Sequence, residues 1–322
     1  MGRYPLPATP DGWYKVAFSP ELAPGEVRPV RFFGRDLVLF RSEAGRARLF
    51  DAHCPHLGAH LGVGGRACGD GIRCPFHGWR FDGDGRLVEV PRLERRPPDA
   101  RVRSYPTEER SGIVFAWFHE RGAEPGWEVP EYRTGGSAVW TEWATNLYDV
   151  RTHVQDVAEN ILDLPHFWNV HDMDAPDRKK FEVRFDGPRM IVEQTLKVTA
   201  PPGAGVEVLA RTVNSGPGIS ATVVSFGAVE TLTFITHTPV EEERVELQLS
   251  FCMRRLADAS AAAAVEKLNR DFINTQFRQD IPIWENKIYR ERPLLTALDG
   301  PIPEYRRWYR QFYSGLAPAG EA

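Results

Sequence analysis

Short apolar segments separated by Gly and Pro clusters run through the first third of the chain. Residues 36–40 (DLVLF) and 113–117 (IVFAW) are typical of them, and turn signals recur about every ten residues. Such spacing is typical of short strands rather than helices. Residues 14–118 therefore predict a small all-β domain.

The rest of the chain shows both the two-residue period of strands and the longer period of helices. Residues 122–136 are rich in Gly and Pro without any periodicity, which predicts a linker. Apolar and polar residues then alternate over 230–236 and 245–251, as in strands with one buried face and one wet face. Residues 148–164 look helical until Pro165 interrupts the pattern.

Residues 259–279 predict the longest helix, with a stripe of side chains at helical spacing. The stripe consists of Ala261, Val265, Leu268, Phe272, Gln276 and Asp280. The predicted fold class is α+β: a β-domain at 1–121, a linker at 122–137, and a domain at 138–322. In this last domain we expect a helix-grip arrangement, an antiparallel sheet around the long C-terminal helix.

Length and charge narrow the function classes. The 322 residues suit two domains, and 40 Lys plus Arg against 44 Asp plus Glu leave a net charge of -4, with no bulk attraction for nucleic acid. No apolar run approaches the ~20 residues of a membrane span, and residues 1–10 do not resemble a signal peptide. Four cysteines are too few for a disulfide scaffold, so we expect a cytoplasmic protein.

Two short segments pair cysteine with histidine. Cys54 precedes His56 by two positions, Cys74 precedes His77 by three, and seventeen residues separate the pairs. Two thiolates and two imidazoles could hold one tetrahedral Zn²⁺. On two loops they also form the Rieske arrangement, in which two Cys bind one iron of a 2Fe-2S cluster and two His bind the other. We favour the cluster, which is a one-electron relay.

A second group of candidate ligands follows Asn160. Asp163, His166 and His171 offer the residue types of a 2-His-1-carboxylate site for Fe(II). On an ideal helix the two histidines lie about 140° apart, so they converge only if the helix is distorted, for which Pro165 supplies a reason. In the alternative, Asp163 caps a helix that restarts at Pro165 and the histidines bind no metal.

Asp280 is the candidate for the carboxylate of this second site. It ends the predicted inward stripe, and an acid that faces a core needs a partner such as a metal. In the alternative, Asp280 caps a short helix that begins near Pro282.

The first group of ligands resembles the cluster loops of Rieske non-haem iron oxygenases, in residues 54–56 (CPH) and 74–79 (CPFHGW). Respiratory Rieske proteins carry an extra cysteine in each loop, where this chain has Ala59 and Phe76, so the oxygenase branch is favoured. Residues 279–287 (QDIPIWENK) and 306–313 (RRWYRQFY) are similar to steroid-oxidising members of that family. Those members include the oxygenase component of 3-ketosteroid 9α-hydroxylase and the cholesterol 7-desaturases.

The resemblance implies the cofactors and the partners. It implies a 2Fe-2S cluster, a mononuclear Fe(II) that activates O₂, and a head-to-tail homotrimer. It also implies that the aspartate matching Asp280 completes the iron site and that the one matching Asp163 bridges the two metal centres. Electrons would come from NAD(P)H through a separate reductase or ferredoxin, since the chain has no dinucleotide-binding glycine pattern after a strand.

The expected function is an oxygenase that hydroxylates, desaturates or demethylates a hydrophobic, steroid- or sterol-like substrate. Asn160, Trp168, Phe226 and Phe234 are candidates for contact with it. The same machinery would serve another hydrophobic natural product or an aromatic compound. A pure electron carrier would need only the first group of ligands, and a lipid-binding protein would need neither group.

Overall fold

The computed structural model describes residues 2–95, 97–132, 138–174, 178–197, 207–226, 229–256 and 259–316. Small antiparallel sheets form the first part of the chain, as the Gly- and Pro-punctuated pattern predicts. The strands are β1 Gly12–Phe18, β2 Val27–Phe32, β3 Arg35–Arg41, β4 Ala47–Asp51, β5 Arg66–Cys68, β6 Gly71–Arg73, β7 Arg80–Phe81, β8 Leu87–Glu89, β9 Ser104–Tyr105, β10 Thr107–Arg110 and β11 Ile113–Phe118. They pair in the orders β1-β11-β10, β2-β3-β4-β9 and β5-β6-β7-β8.

A seven-stranded antiparallel sheet forms the second part. Its strands are β12 Ala144–Val150, β13 Phe181–Asp186, β14 Arg189–Lys197, β15 Glu207–Ser215, β16 Ile219–Phe226, β17 Val229–Glu241 and β18 Arg244–Met253. They pair in the order β12-β18-β17-β16-β15-β14-β13. The helices are α1 Val154–Glu159, α2 Leu164–Asn169, α3 Ala259–Asn286 and α4 Ile302–Tyr309. The predicted α+β class is confirmed, with the long helix α3 placed against one face of this sheet.

The opposite face of the large sheet is covered by the first domain. Trp13 and Trp117 share a hydrophobic core with Leu232 and Phe234 of β17. The prediction that one face of β18 is exposed to solvent is therefore wrong. Gln248, on the face that the first domain covers, is only 1% exposed. Alternation in a sequence shows which side chains share a face, whereas burial depends on what packs there.

The predicted linker contributes to this interdomain core. Trp127 packs edge-on against Trp117, with ring centroids 4.6 Å apart, and Val129 is buried in the same core. The Trp13 indole also donates a hydrogen bond to the Trp127 carbonyl at 2.7 Å. Residues 133–137 of the predicted linker lie outside the described residues, and the predicted domain boundaries stay a prediction.

The segment predicted as one helix over 148–164 is divided. Residues 148–150 belong to β12, α1 follows, and a 3₁₀ turn at Asn160–Leu162 leads to Asp163, whose φ of -82° and ψ of 88° are not helical. Pro165 stands at the beginning of α2 and does not end a helix, because proline is tolerated in a first turn where its missing N–H has no partner to lose.

Helix α3 extends beyond its predicted end and continues through Pro282 to Asn286. The predicted inward stripe is wrong at Leu268 and Phe272, which are exposed. The side that meets the sheet carries Phe277 and Trp284 instead. Among the described residues, no helix has both the length and the apolar content that crossing a bilayer requires.

Candidate metal centres

The two Cys-His segments form loops with the same backbone hydrogen bonds. In the first loop the Cys54 N–H donates to the Ala59 carbonyl at 2.9 Å, and the Gly58 N–H donates to the Cys54 carbonyl at 3.0 Å. In the second loop Cys74 makes both bonds at the same sequence offsets, at 2.8 and 3.2 Å. Each loop thus projects its cysteine and its histidine from a matching turn.

The thiols and the imidazoles lie at different depths. Cys54 and Cys74 are 2% and 3% exposed and join the core of the β-domain, whereas His56 and His77 are exposed. The two histidine rings lie 4.6 Å apart, and His56 stacks on Trp79 with centroids 4.4 Å apart. The donors thus divide into an inner sulfur pair and an outer nitrogen pair.

Such a division fits a two-iron cluster better than a single zinc ion. One metal needs four donors around one point, whereas a Rieske cluster takes its cysteines on one iron and its histidines on the other. Both cysteines are free thiols, and burial raises the pKa of Cys54 to about 11. A buried thiolate needs positive charge close by, which bound iron would supply.

The second site brings together residues from three parts of the chain. His166 lies in α2, His171 lies just after it, and Asp280 lies in α3. Their ligand atoms all lie within 4.8 Å of one another, and the two histidine rings are nearly perpendicular. The donor set of two imidazoles and one carboxylate fits Fe(II) with open coordination positions.

The end of α2 at Asn169 lets the two histidines converge, because His171 lies beyond the helix and does not follow its angular spacing. The His166 Nδ1 is hydrogen-bonded to the backbone carbonyl of Asp163, which points Nε2 towards Asp280. Asp163 occupies the N-cap position of α2, yet its side chain makes no capping hydrogen bond, contrary to the capping alternative. Asp280 cannot be the cap of a later helix, because α3 continues six residues beyond it.

Two amide side chains surround the three ligands. The Asn160 Nδ2 donates to Asp280 Oδ2 at 3.1 Å and lies 3.2 Å from His166 Nε2. The His171 Nδ1 donates to Gln279 Oε1 at 2.9 Å, so His171 Nε2 faces Asp280 Oδ1 at 3.3 Å. Sequence reasoning missed Gln279, although its position next to Asp280 was a signal that could have suggested it.

The two histidines have opposite electrostatic environments. Burial is the main influence on His166 and lowers its pKa below the ordinary value. Burial also acts to lower the pKa of His171, but hydrogen bonds to Asp280 and Gln279 outweigh it and raise the pKa overall. Neutral imidazole is the form that binds a metal, so both pKa shifts affect how readily the site binds iron.

Two of the aromatic candidates for substrate contact, Trp168 and Phe234, have described side chains. Trp168, in α2, is 37% exposed. The expectation that Phe234 contacts the substrate is corrected. Its side chain points into the interdomain core, where its ring meets Tyr132 and Trp143, on the sheet face opposite α3. The backbone of Phe226 ends β16, but its side chain lies outside the described residues. Asn160 lies directly beside the triad, in contact with His166 and Asp280.

Comparisons with known proteins identify relatives over nearly the whole chain. The Rieske [2Fe-2S] domain family matches residues 12–106, and the 3-ketosteroid 9α-hydroxylase C-terminal domain family matches residues 116–313. A cholesterol 7-desaturase of Ciona intestinalis is 33% identical, with 97% of this chain and 70% of that protein aligned. The oxygenase component of a 3-ketosteroid-9-alpha-monooxygenase of Rhodococcus rhodochrous is 32% identical, with coverages of 95% and 84%.

Solved structures show the same fold at lower identity. NdmA of Pseudomonas putida CBB5 with caffeine superposes with a TM-score of 0.74 at 21% identity, covering 92% of this chain and 89% of that one. Apo dicamba monooxygenase gives a TM-score of 0.65 at 19% identity, with coverages of 94% and 96%.

Proposed function

The chain belongs to the family of Rieske oxygenases that carry a 3-ketosteroid 9α-hydroxylase catalytic domain, and we propose that it oxidises a steroid- or sterol-like substrate at an unactivated C–H bond. The observation that carries this proposal is the convergence of His166, His171 and Asp280 within 4.8 Å. Both relatives described above are named for steroid or sterol oxidation, which supports this substrate class.

We assign the ligands of the two centres from the contacts above. Cys54 and Cys74 would hold the inner iron of the cluster, and His56 and His77 the outer one. When bound, the cluster would supply single electrons and the mononuclear Fe(II) would supply the site of O₂ activation. Hydroxylation would consume one O₂, two electrons and two protons, and would yield one hydroxyl group and one water.

The chain's own residues prepare the mononuclear site for this reaction. The Asp163 carbonyl and the Gln279 amide orient His166 and His171, so that their remaining nitrogens face Asp280. Asp280 itself is only 6% exposed, which limits access of water to its carboxylate. For Asp163 we propose a further role, in which its carboxylate links the cluster of a neighbouring subunit to His166.

Other chains would complete the electron supply. Three large apolar side chains in or near the cluster loops are strongly exposed: Leu57 at 67%, Val63 at 63% and Phe76 at 62%. A surface of that kind favours contact with another protein. We propose that a neighbouring subunit of a homotrimer covers it in part, and that a separate NAD(P)H-dependent reductase or ferredoxin delivers the electrons.

A single-turnover experiment tests the function. The iron-loaded, reduced protein would be mixed with a panel of steroids and sterols under ¹⁸O₂, and the products read by mass spectrometry. We expect one steroid to gain a labelled hydroxyl, or to lose two hydrogens if the reaction is desaturation. A demethylated product would show loss of a one-carbon unit.

The control is Asp280→Ala, which would keep the cluster but lack the iron site. Oxidation of a steroid by this variant would contradict the assignment of the site. No product from any steroid, together with turnover of an aromatic or another natural product, would replace the proposed substrate class.

A further inference from the structure

The face of the large sheet that meets α3 is polar at its centre. Asn146 and Tyr148 of β12 mark this face, because both donate hydrogen bonds to Asn274 of α3. Directly paired residues on neighbouring strands lie on the same face of a sheet. The strand register therefore identifies the residues of each strand that lie on the face that meets α3. Seven polar side chains of its inner strands are here called the polar band: Gln194, Thr212, Asn214, Ser220, Thr222, Thr231 and Thr233. His237 lies on the same face, further along β17.

Nearly all of the polar band is buried. Gln194 and Thr212 are each 2% exposed, and Asn214 is 3% exposed. Thr212 and Thr222 satisfy one another with a hydrogen bond of 2.8 Å between their hydroxyls. In the described structure, Gln194 Oε1 and Asn214 Nδ2 are buried atoms with no hydrogen-bond partner. Such atoms cost about 1–3 kcal/mol each, so the band needs a polar partner.

The two helices that carry the iron ligands flank the band. On one side Phe167 of α2 packs with Phe181, which lies opposite Gln194 on the neighbouring strand. On the other side Trp284 of α3 packs with Leu247 of β18. Between these contacts the middle strands carry short side chains such as threonine and serine. The Gln194 end of the band therefore lies beside α2, whereas Asn214 and Thr212 lie beside Met190 and Val192, which pack against α4.

We propose that the polar band binds an oxygen-bearing group of the substrate, with the Gln194 carboxamide hydrogen-bonded to a substrate hydroxyl. This inference rests on the proposed function. A carboxamide presents an acceptor at one end and donors at the other, and a hydroxyl can pair with either end. A ketone can only accept, and a hydrocarbon leaves the amide unpaired. Because the unpartnered atom of Gln194 is the acceptor Oε1, it favours a hydroxyl that donates to it over a ketone or a hydrocarbon at that position.

The fold contains a matched control on the other face of the same sheet. Gln248 is 1% exposed and its Oε1 also lacks a partner among the described residues, while its Nε2 donates to Ser250 at 2.8 Å. Gln248 lies in the row of Thr236, on the side covered by the first domain. Replacing Gln194 or Gln248 by leucine removes the same group from opposite faces of one sheet.

Calorimetric binding to the oxidised, iron-loaded protein tests the proposal without turnover. The probes are steroids that differ at one ring carbon, position 3 or 17, which bears a hydroxyl, a ketone or only hydrogens. A matched alcohol, ketone and hydrocarbon of a smaller terpenoid complete the panel. At one position we expect the hydroxylated steroid to bind about ten- to a hundredfold more tightly than its deoxy form.

The variants then locate the discrimination. Gln194→Leu should weaken binding of the hydroxylated steroid by about ten- to a hundredfold and leave the deoxy form unchanged, whereas Gln248→Leu should keep the wild-type preference. Equal binding of both forms by the wild type would overturn the inference, as would an intact preference in Gln194→Leu. The wild-type comparison stands even if a variant does not fold.

The outcomes also separate this inference from the proposed function. If no steroid binds but the terpenoid alcohol binds more tightly than its ketone and hydrocarbon, the steroid proposal is rejected and hydroxyl recognition by the polar band is supported. A preference for the ketone would make the amide of Gln194 a donor and overturn the hydroxyl assignment. A wild-type protein that binds no probe at all would contradict both proposals, since the band would then hold only ordered water.

Discussion

Asp280 is a buried carboxylate whose near neighbours are two imidazoles and two amides. It is 6% exposed, it accepts a hydrogen bond from Asn160, and it faces His171 at 3.3 Å. An acid in such surroundings gains most from a bound cation. Asp280→Ala should therefore lose the mononuclear iron, so that iron falls from about three to about two per chain while labile sulfide stays constant.

Metal analysis of that variant decides whether Asp280 is an iron ligand or only a side chain of α3. If Asp280 were only a buried side chain of α3, the substitution would leave the iron count alone. Glu285→Ala, five residues further along the chain, is the control and should retain all the iron. Full iron in Asp280→Ala would direct the search to another carboxylate.

Gln279 positions His171 through its ring nitrogen. The 2.9 Å hydrogen bond from Nδ1 selects the tautomer whose Nε2 lone pair faces Asp280. Gln279→Leu should weaken Fe(II) binding by about 10- to 100-fold, measured by titration of the iron-depleted protein with its cluster intact. Gln276→Leu, on the same helix, removes a contact to Met173 and should not change iron affinity. Equal affinities in the two variants would show that Gln279 is not a positioning residue.

Asp163 tests the proposed link between the centres. Its backbone carbonyl holds His166, a contact that any side chain preserves, whereas its carboxylate makes no capping bond. Asp163→Asn should thus retain both metals yet lose nearly all steady-state turnover, because the amide cannot carry the negative charge. Iron and sulfide analysis with oxygen consumption measures both properties. Substantial turnover with normal cluster reduction would leave the carboxylate without this role.

At the scale of elements, each cluster loop depends on a glycine with positive φ. Gly58 has φ of 74° with open space around a Cβ position, whereas Gly78 has φ of 69° and its Cβ would lie 3.0 Å from Pro91. Gly58→Ala should cost about 1 kcal/mol from backbone strain alone. Gly78→Ala should cost more, since Pro91 must also move.

Cluster content per chain and melting temperature of the two alanine variants measure this difference. Gly25→Ala serves as a control for strain remote from the metals, because Gly25 also has positive φ and open space around it. A Gly78→Ala protein as stable and as fully loaded as Gly58→Ala would mean that the Pro91 contact relaxes without cost.

For the whole molecule, His237 makes stability depend on pH. It is fully buried in β17, and burial lowers its pKa from 6.5 to about 4. Between these values the unfolded chain binds a proton that the folded protein excludes, so stability falls as pH drops below about 6.5. The loss between pH 7 and pH 5 amounts to about 2 kcal/mol.

Melting curves of His237→Asn at the two pH values check this expectation. The variant should start less stable at pH 7 but lose less on acidification than the wild type. His53→Asn, at an exposed position, should keep the wild-type slope. An unchanged slope in His237→Asn would assign the acid sensitivity to other groups.

The sequence by itself determined the features that short stretches of chain control. In each loop cysteine and histidine lie two or three positions apart, with a glycine one or two positions later, so the cluster loops were predictable from local spacing. The strand-rich first domain and the existence of α3 follow from periodicity in the same way. These features need no knowledge of what packs against them.

Only the tertiary structure decided which residues pack against each face of α3 and of the large sheet. Asp280 meets Asn160 across 120 residues of chain, and periodicity alone placed its helix face wrongly, because the apolar Leu268 and Phe272 are exposed. Alternation likewise put Phe234 on one sheet face without showing that the first domain covers it. The reason is physical: a side chain's environment is set by long-range packing, and the burial of one face depends on every element that docks there.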